Sequence, residues 1–391
     1  MEWVALGARI RGGWRGLLSL GFAVVFVAGT SARAVDPPML TVGHVGHDHQ
    51  LALYVAADQG RSLETRFGVY LKPLKDQAVY DLVDAGMPVA RVHLVRVGGG
   101  SKMPASLERG DIEVGLGGLG PVAKFVDGGA PLKVLAPLNT DGDALVVRPD
   151  FPAASWDEFV AVARTSERPV RVGYKAPMAV AYMILGRALE EEHVGHGPDP
   201  VDVDGAAVQV VTVNLKGAAN ILPSLSGGLV DAVVANEPMV AVLTERGVGR
   251  KVADLSALPP SGAWEGHPCC VVAAREDAVT NKAEAIRSLL RIIVAGTKVM
   301  EEDPEAAYAA EARWTKTPAQ VGRRSIPAVR FTVQPDAEWL GAVDRWIELM
   351  EASHRFDGRF AGSPAAEVRA ALLDLVPLLG VLQTTSPGEI R

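Results

Sequence analysis

Residues 98–120, GGGSKMPASLERGDIEVGLGGLG, constrain the fold more than any other stretch of the chain. The run Val92 to Val97 that precedes them alternates apolar and polar side chains and predicts a strand. Gly98, Gly99 and Gly100 break that strand. Ser101 then stands at a helix N-cap, with Pro104 tolerated in the first turn and Gly110 as a C-terminal stop. Asp111 to Gly115 predicts the next strand, and Gly117 and Gly118 end it before a second helix opens near Pro121. The unit is strand, glycine turn, helix, and then the same again. In α/β units of this kind ligands collect beyond the carboxyl ends of strands, where helix N-termini present free N–H groups.

The pattern recurs. Ser106-Leu107-Glu108-Arg109-Gly110 followed by Asp111 is echoed by Ser224-Leu225-Ser226-Gly227-Gly228 followed by Asp231. A short apolar strand comes after each, and each strand runs into a turn carrying a proline, Pro121 or Pro238. The echo predicts two similar α/β lobes with facing strand ends, and hence a cleft.

A chain of 391 residues is long enough for two such lobes, and 48% apolar content can fill their cores. Residues 1–34 read as a removable signal peptide. Arg9, Arg11 and Arg15 make a basic start, Gly16 to Thr30 is apolar, and Ala32-Arg33-Ala34 fits a small-x-small cleavage pattern. Cleavage near Ala34 would shift the formal charge from −7 to −10, because that segment holds four arginines and one glutamate. An acidic chain without a basic cluster excludes nucleic acid as the expected partner. The expected location is the periplasm, and a monomer is expected. Two cysteines are present, the neighbours Cys269 and Cys270. Adjacent Cα atoms lie about 3.8 Å apart, below the usual disulfide span of roughly 4.4–6.8 Å. They read as two small buried residues at the start of a strand, with a strained bridge as the alternative.

In chain order, Met39 to Val45 is the first strand, and a helix follows from about Gln50 to Gln59. Residues 61–91 read as an elaboration, with a possible strand at Gly68 to Leu71 and a short helix at Ala78 to Ala85. Leu132 to Leu138 and Ala144 to Val147 are strands around a turn at Asn139 to Asp143. Val170 to Tyr174 is a strand, and its helix opens at Pro177. Val208 to Val213 and Asp231 to Ala235 are strands, and Val271 to Ala273 is another. From Asn281 the chain turns helical: Ala283 to Glu302, Pro304 to Arg313, Asp336 to Ser353 and Pro364 to Leu382. The chain crosses to the second lobe near Val146 to Pro149 and returns near Cys270 to Ala274. Lobe I is therefore 39–147 with 272–391, and lobe II is 148–271.

Several of these segments together resemble the substrate-binding proteins of bacterial ABC importers, in particular the nitrate, sulfonate and taurine type with its relatives that bind a thiamine pyrimidine precursor. The resemblance covers roughly residues 39–355. It is carried by Thr41-Val42-Gly43-His44 with Leu53-Tyr54-Val55-Ala56, by Ala105 to Gly117, by Gly128-Gly129-Ala130-Pro131 and by Val172-Gly173-Tyr174. Gly228 to Ala232 ahead of Glu237-Pro238, and Lys298 to Ala307, complete it. It implies a two-lobed α/β periplasmic-binding-protein-like fold (type II), each lobe a mixed, mostly parallel sheet flanked by helices. It also implies a small-molecule ligand enclosed between the lobes and delivered to a membrane permease. Residues 61–91 and His267-Pro268-Cys269-Cys270 depart from the common sulfonate binders, so no particular ligand transfers.

The candidate ligand-binding residues follow from the strand ends. His44, His47 and His49, beside Asp48, can hydrogen-bond a polar ligand, bind a transition metal with help from His267 or Glu237, or serve as loop caps. The reading favours ligand hydrogen bonds and assigns no metal and no cofactor. Ser101 and Lys102 start a helix; Gly117 and Gly118 let backbone N–H groups approach a ligand. Lys175 and Pro177 hold the matching place in the second lobe, and Asn236 and Glu237 end the echoed strand, with His267 near the return crossing. Asp141 and Asp143 read as turn formers. No nucleophile elbow, phosphate loop or zinc-protease helix motif is present, and the expectation is a binding protein, not an enzyme. The alternative is a thiol- or metal-dependent enzyme, or a metal receptor, on the same fold.

Overall fold

The computed structural model describes residues 36–384, apart from 101 and 202–204. The expected signal peptide and Ser101 therefore lie outside the described residues. Within them the strands are β1 (Met39–His44), β2 (Val69–Lys75), β3 (Val79–Asp84), β4 (Met87–Arg96), β5 (Val114–Gly118), β6 (Leu132–Asp141), β7 (Asp143–Val147), β8 (Val170–Tyr174), β9 (His196–Gly197), β10 (Val210–Asn214), β11 (Ala232–Asn236), β12 (Arg250–Asp254), β13 (Pro268–Arg275) and β14 (Val329–Phe331). They form an eight-stranded sheet in the order β14-β6-β13-β5-β1-β4-β3-β2 and a six-stranded sheet in the order β12-β7-β11-β8-β10-β9.

β1, β5, β8 and β11 are short and mostly buried along their length, as strands covered by helices on both faces should be. Parallel pairing in the first sheet is confined to β1 with β4 and β5; its other pairs are antiparallel. In the second sheet β10 pairs in parallel with β8 and β9, and β11 with β8, while β7 is antiparallel to β11 and β12. The mixed α/β architecture is as expected, but "mostly parallel" describes only the second sheet. Two things make the first sheet mainly antiparallel: the returning strand β13 runs against β5 and β6, with β14 against β6, and the stretch 61–91 adds two more antiparallel pairs. Its expected short helix at Ala78 to Ala85 is instead β3, the centre of an antiparallel meander β2-β3-β4 that extends one edge of the first sheet. Tyr80 and Leu82 alternate inward along it, a period-2 pattern that a six-residue segment hides easily.

Two further boundaries move. Asp143 to Val147, assigned from sequence to the first lobe, pairs with β11 and β12 and so belongs to the second sheet. The crossing is the sharp bend at Asp141 and Gly142, both at positive φ, and β6 runs through residues expected to be a turn. The helix after β8 is Val180–Glu191, and Pro177 lies in the turn ahead of it.

The sequence echo is a backbone echo. The carbonyl of Ser106 accepts from the N–H of Asp111 (2.9 Å) and Ile112 (3.4 Å); the carbonyl of Ser224 accepts from Leu229 (2.9 Å) and Val230 (3.4 Å). Gly110 and Gly228 take the same place, at φ of 79° and 69°, which a side chain would resist. Each loop thus closes its helix identically and aims the next strand, β5 or β11, at the same kind of end.

The long helix Ala283–Glu302 lies against the helix Leu51–Gln59. A Cβ built at Gly296 would stand 1.8 Å from the Ala52 carbonyl oxygen, so the two backbones touch. On the same helix Tyr54 stacks flat on Trp314 of the helix Pro304–Thr315 (ring centroids 4.6 Å apart, 8° between planes). These contacts fix the N-terminus of Leu51–Gln59, and with it the turn that follows β1.

Candidate functional site

The chain leaves β1 at His44, turns, and enters a 3-10 turn, Asp48–Gln50. His47 caps it. Its Nδ1 accepts from the His49 backbone N–H (3.2 Å), while Gln50 Oε1 accepts from Gly46 N–H (3.1 Å) and His47 N–H (3.5 Å). This is a capping box with histidine in the place of serine or threonine. The cap directs Asp48, His49 and Gln50 into the interior, all at 1% exposure or less. His44 Nδ1 meets the Tyr54 hydroxyl at 2.8 Å, and that hydroxyl reaches Gln50 Oε1 at 3.4 Å.

β13 brings the two cysteines to the same place. Neighbours on a regular strand point to opposite faces. Here the register against β6 shifts between Pro268 and Cys270 and again after Cys270. Both thiols consequently face His49: Cys269 Sγ lies 3.3 Å and Cys270 Sγ 3.7 Å from its Nδ1. Gly118 is the register partner of Cys270, and Gly117 of Val271, so the end of β5 borders this cluster.

The second sheet supplies the opposite side. Lys175, just past β8, donates to Asn236 Oδ1 at the end of β11. Asn236 Nδ2 donates to the Glu237 carbonyl (2.6 Å), and Glu237 Oε2 accepts from Ala241 N–H (2.9 Å) at the start of the helix Met239–Glu245. Asp141, Asp143 and His267 stand where the chain passes between sheets. His267 Nε2 is 3.2 Å from Asp143 Oδ2, and its Nδ1 lies 3.3 Å from Asp141 Oδ1 and 2.8 Å from the Trp264 carbonyl.

Electrostatics ties the two sides together. Burial pushes the imidazoles of His47 and His49 well below the usual histidine range, and Lys175 pushes both in the same direction. His44 falls to about 4, through burial and then Arg96. Burial raises Asp48 to about 7 and Glu237 to about 8, and the Asp48 charge contributes to the latter. His267 goes the other way: burial opposes its charge, but Asp141 and Asp143 raise it to about 9. At neutral pH the imidazoles of His44, His47 and His49 are neutral, Asp48 and Glu237 hold protons in part or mostly, and His267 is a cation beside Asp141, whose carboxyl it holds below the usual range despite burial. Such a set can recognise a small polar molecule through many hydrogen bonds, or hold a soft cation through nitrogen and sulfur.

Of the residues expected at the site, His44, His47, His49, Lys175, Asn236, Glu237 and His267 lie in or beside this cluster, and Gly117 and Gly118 border it. Lys102 is exposed, its side chain lying over Gly98, and Pro177 is exposed; the structure does not bring either into the cluster. The cysteines, Asp48, Gln50, Tyr54, Asp143 and Glu311 are the residues that the strand-end argument left out. Asp143 was a turn former in sequence, yet it is 4% exposed and paired with His267. Cysteine next to cysteine was the available signal, since two thiols on one bulge can face one partner.

Residues 34–314 match the model of the NMT1-like family. An uncharacterised protein of Methanocaldococcus jannaschii, MJ1180, is 30% identical over 125 residues, covering 32% of this chain and 86% of that protein. Among solved structures, the periplasmic nitrate-binding protein NrtA from Synechocystis PCC 6803 superposes with a TM-score of 0.66 at 14% identity, covering 91% of this chain and 90% of that one. The ligand-binding component of an ABC-type import system from Staphylococcus aureus, with zinc bound, gives 0.64 at 13% identity, covering 89% and 99%. The alkanesulfonate-binding protein SsuA from Xanthomonas axonopodis pv. citri, bound to MOPS, gives 0.60 at 18% identity, covering 85% and 99%. At these identities the structures establish a shared periplasmic-binding-protein fold.

Proposed function

The chain belongs to the NMT1-like family, and from that premise we propose that it is the solute-binding protein of an ABC importer. In this reading it closes on a small polar molecule between two lobes and delivers it to a membrane permease. Lobe I carries the first sheet, β1–β6 with β13 and β14, and lobe II carries β7–β12. The observation that carries the reading is the meeting of polar groups from both sheets. His47 and His49 follow β1, Lys175 follows β8, and Asn236 and Glu237 close β11, each beyond the carboxyl end of its strand. Two of the structural neighbours are named as binding nitrate and alkanesulfonates, and a third holds zinc. Here the mixture of imidazoles, carboxyls and a single lysine suits a ligand with both donors and acceptors better than a simple oxyanion.

Burial makes each contact count. A polar group enclosed between lobes is desolvated, so losing its partner costs more than at a surface. Mass spectrometry of small molecules released on denaturing the purified protein identifies the ligand. Calorimetric titration with it should then find Glu237→Ala weaker by at least about 10-fold, ~1.4 kcal/mol. Release of no small molecule, together with unchanged affinity in the variant for every compound that binds, refutes the reading.

The protein acts outside the inner membrane as a monomer, without nucleic acid and without catalysis. No helix among the described residues is long and apolar enough to cross a membrane. The intact mass of protein from a periplasmic extract should correspond to a chain beginning at Val35; a retained Met1 would count against export by this signal.

A further inference from the structure

We propose that His47, His49 and Cys270 bind a single borderline-soft divalent metal ion of the zinc class, with Cys269 as the adjoining fourth ligand and Asp48 as the carboxylate that orients His49. The inference stands whether or not the chain serves an importer, because it rests on this cluster alone.

The first observation is compactness. The ligand atoms of His47, His49 and Cys270 all lie within 4.8 Å of one another. A tetrahedral zinc-class ion with N and S ligands at roughly 2.0 and 2.3 Å requires N···S separations of about 3.5 Å. His49 Nδ1 already stands 3.7 Å from Cys270 Sγ and 3.3 Å from Cys269 Sγ. A contraction of about 1.3 Å, from 4.8 Å to about 3.5 Å along the longest edge, completes the set. Imidazole with thiolate selects zinc-class ions over magnesium or calcium, which take oxygen.

The second observation is what the buried polar atoms lack. Neither carboxylate oxygen of Asp48 has a hydrogen-bond partner among the described residues, nor does His49 Nε2, yet both side chains are fully buried. Buried polar atoms are normally partnered, and an unpaired buried carboxylate is costly. Asp48 Oδ1 stands 3.8 Å from His49 Nε2 and 3.5 Å from His47 Nδ1. With His49 Nδ1 toward the thiols, its Nε2–H is left for Asp48. That is the carboxylate–histidine–metal order which fixes a ligating ring and raises its basicity. Burial outweighs the weak pull of the Ser325 hydroxyl and of Lys175 on this carboxylate, and a dication at the thiols would add a closer positive charge. Packing alone would explain two buried thiols, but not a buried aspartate placed behind the one imidazole that both thiols face.

Binding displaces the thiol proton of each coordinating cysteine into solvent and leaves a thiolate on the metal, with no change of oxidation state. The test uses the mature, untagged protein, stripped of metal under reducing conditions and titrated with Co²⁺ and then Zn²⁺. The expected result is about one equivalent of Co²⁺, with thiolate-to-cobalt charge-transfer absorption and the visible bands of tetrahedral cobalt, displaced by Zn²⁺. The double variant Cys269→Ser with Cys270→Ser, and separately His49→Ala, should abolish these bands, and Asp48→Asn should keep them with affinity lower by about 10–100-fold. Because the wild-type spectrum needs no variant to fold, it decides by itself. Wild-type protein that binds Co²⁺ without charge-transfer absorption, or bands that persist in both ligand variants, overturns the proposal.

Discussion

Buried carboxyls near the site make the protein's stability depend on pH in a definite direction. Glu311, on the helix Pro304–Thr315, is 0% exposed and its Oε2 has no partner among the described residues. Burial first, and then the Asp48 charge, raises it to about 8. The folded state therefore holds this proton more tightly than the unfolded chain, whose glutamates titrate near ~4.3. Its contribution to stability is fully present below that value and is lost as pH rises through about 8. Glu311→Gln has no proton to lose. Denaturant unfolding of parent and variant at pH 5, 7 and 9 should show the parent losing stability relative to the variant by a few kcal/mol, on the order of 3. Parallel pH curves would mean that Glu311 is ionised and solvated in the native protein.

At the scale of elements, the decisive contact is between Ala283–Glu302 and Leu51–Gln59. Gly296 leaves 1.8 Å between an added Cβ and the Ala52 carbonyl oxygen. Both atoms belong to backbone or its first carbon, so no rotamer change relieves the clash. Gly296→Ala should cost at least about 3 kcal/mol and loosen the turn that carries His47 and His49. Gly380, in the helix Val376–Thr384, meets nothing within 4 Å. Gly380→Ala should therefore stabilise the protein, by about 0.4–1 kcal/mol. Thermal unfolding of the two variants side by side checks both signs. Neither sign is visible in the sequence, where both glycines simply interrupt apolar helices. What is legible there is local. The Ser106 and Ser224 loops announce themselves because glycine at a helix end has one cheap conformation. Ser155 and Asp336 cap their helices as their residue types require. The meander β2-β3-β4 is hidden because its register depends on partners within 61–96 and not on any segment alone. The cysteine pair is hidden because a bulge, set by β6, decides which way each thiol points.

At the scale of the molecule, the two-lobed reading requires that the lobes separate to admit a ligand and that the arrangement described here be the closed one. The turn after β4 and the turn after β8 offer a direct test. A Cβ built at Gly100 would lie 3.8 Å from Ala176 Cβ. That is the mean Cβ–Cβ separation of a disulfide, about 3.8 Å, and the two positions follow strands of different sheets. Gly100 sits at φ 63°, so a cysteine there costs about 1 kcal/mol, well within what a domain of this size tolerates. The double variant Gly100→Cys with Ala176→Cys should form the bridge under mild oxidation and hold the lobes together. Amide hydrogen exchange then reports on closure without any knowledge of the ligand. Residues 47–50 and 236–241 lie in the cluster, and their amides become solvent-accessible when the lobes part. Oxidised double variant should protect these segments by at least about 10-fold over its reduced form, while segments at the far edge, such as β2 and β3, exchange alike in both. The single variant Ala176→Cys under the same oxidant controls for chemistry at Cys269 and Cys270. Equal exchange in the oxidised and reduced forms would mean that the lobes do not open at this seam, and the ligand would then have to enter by another route.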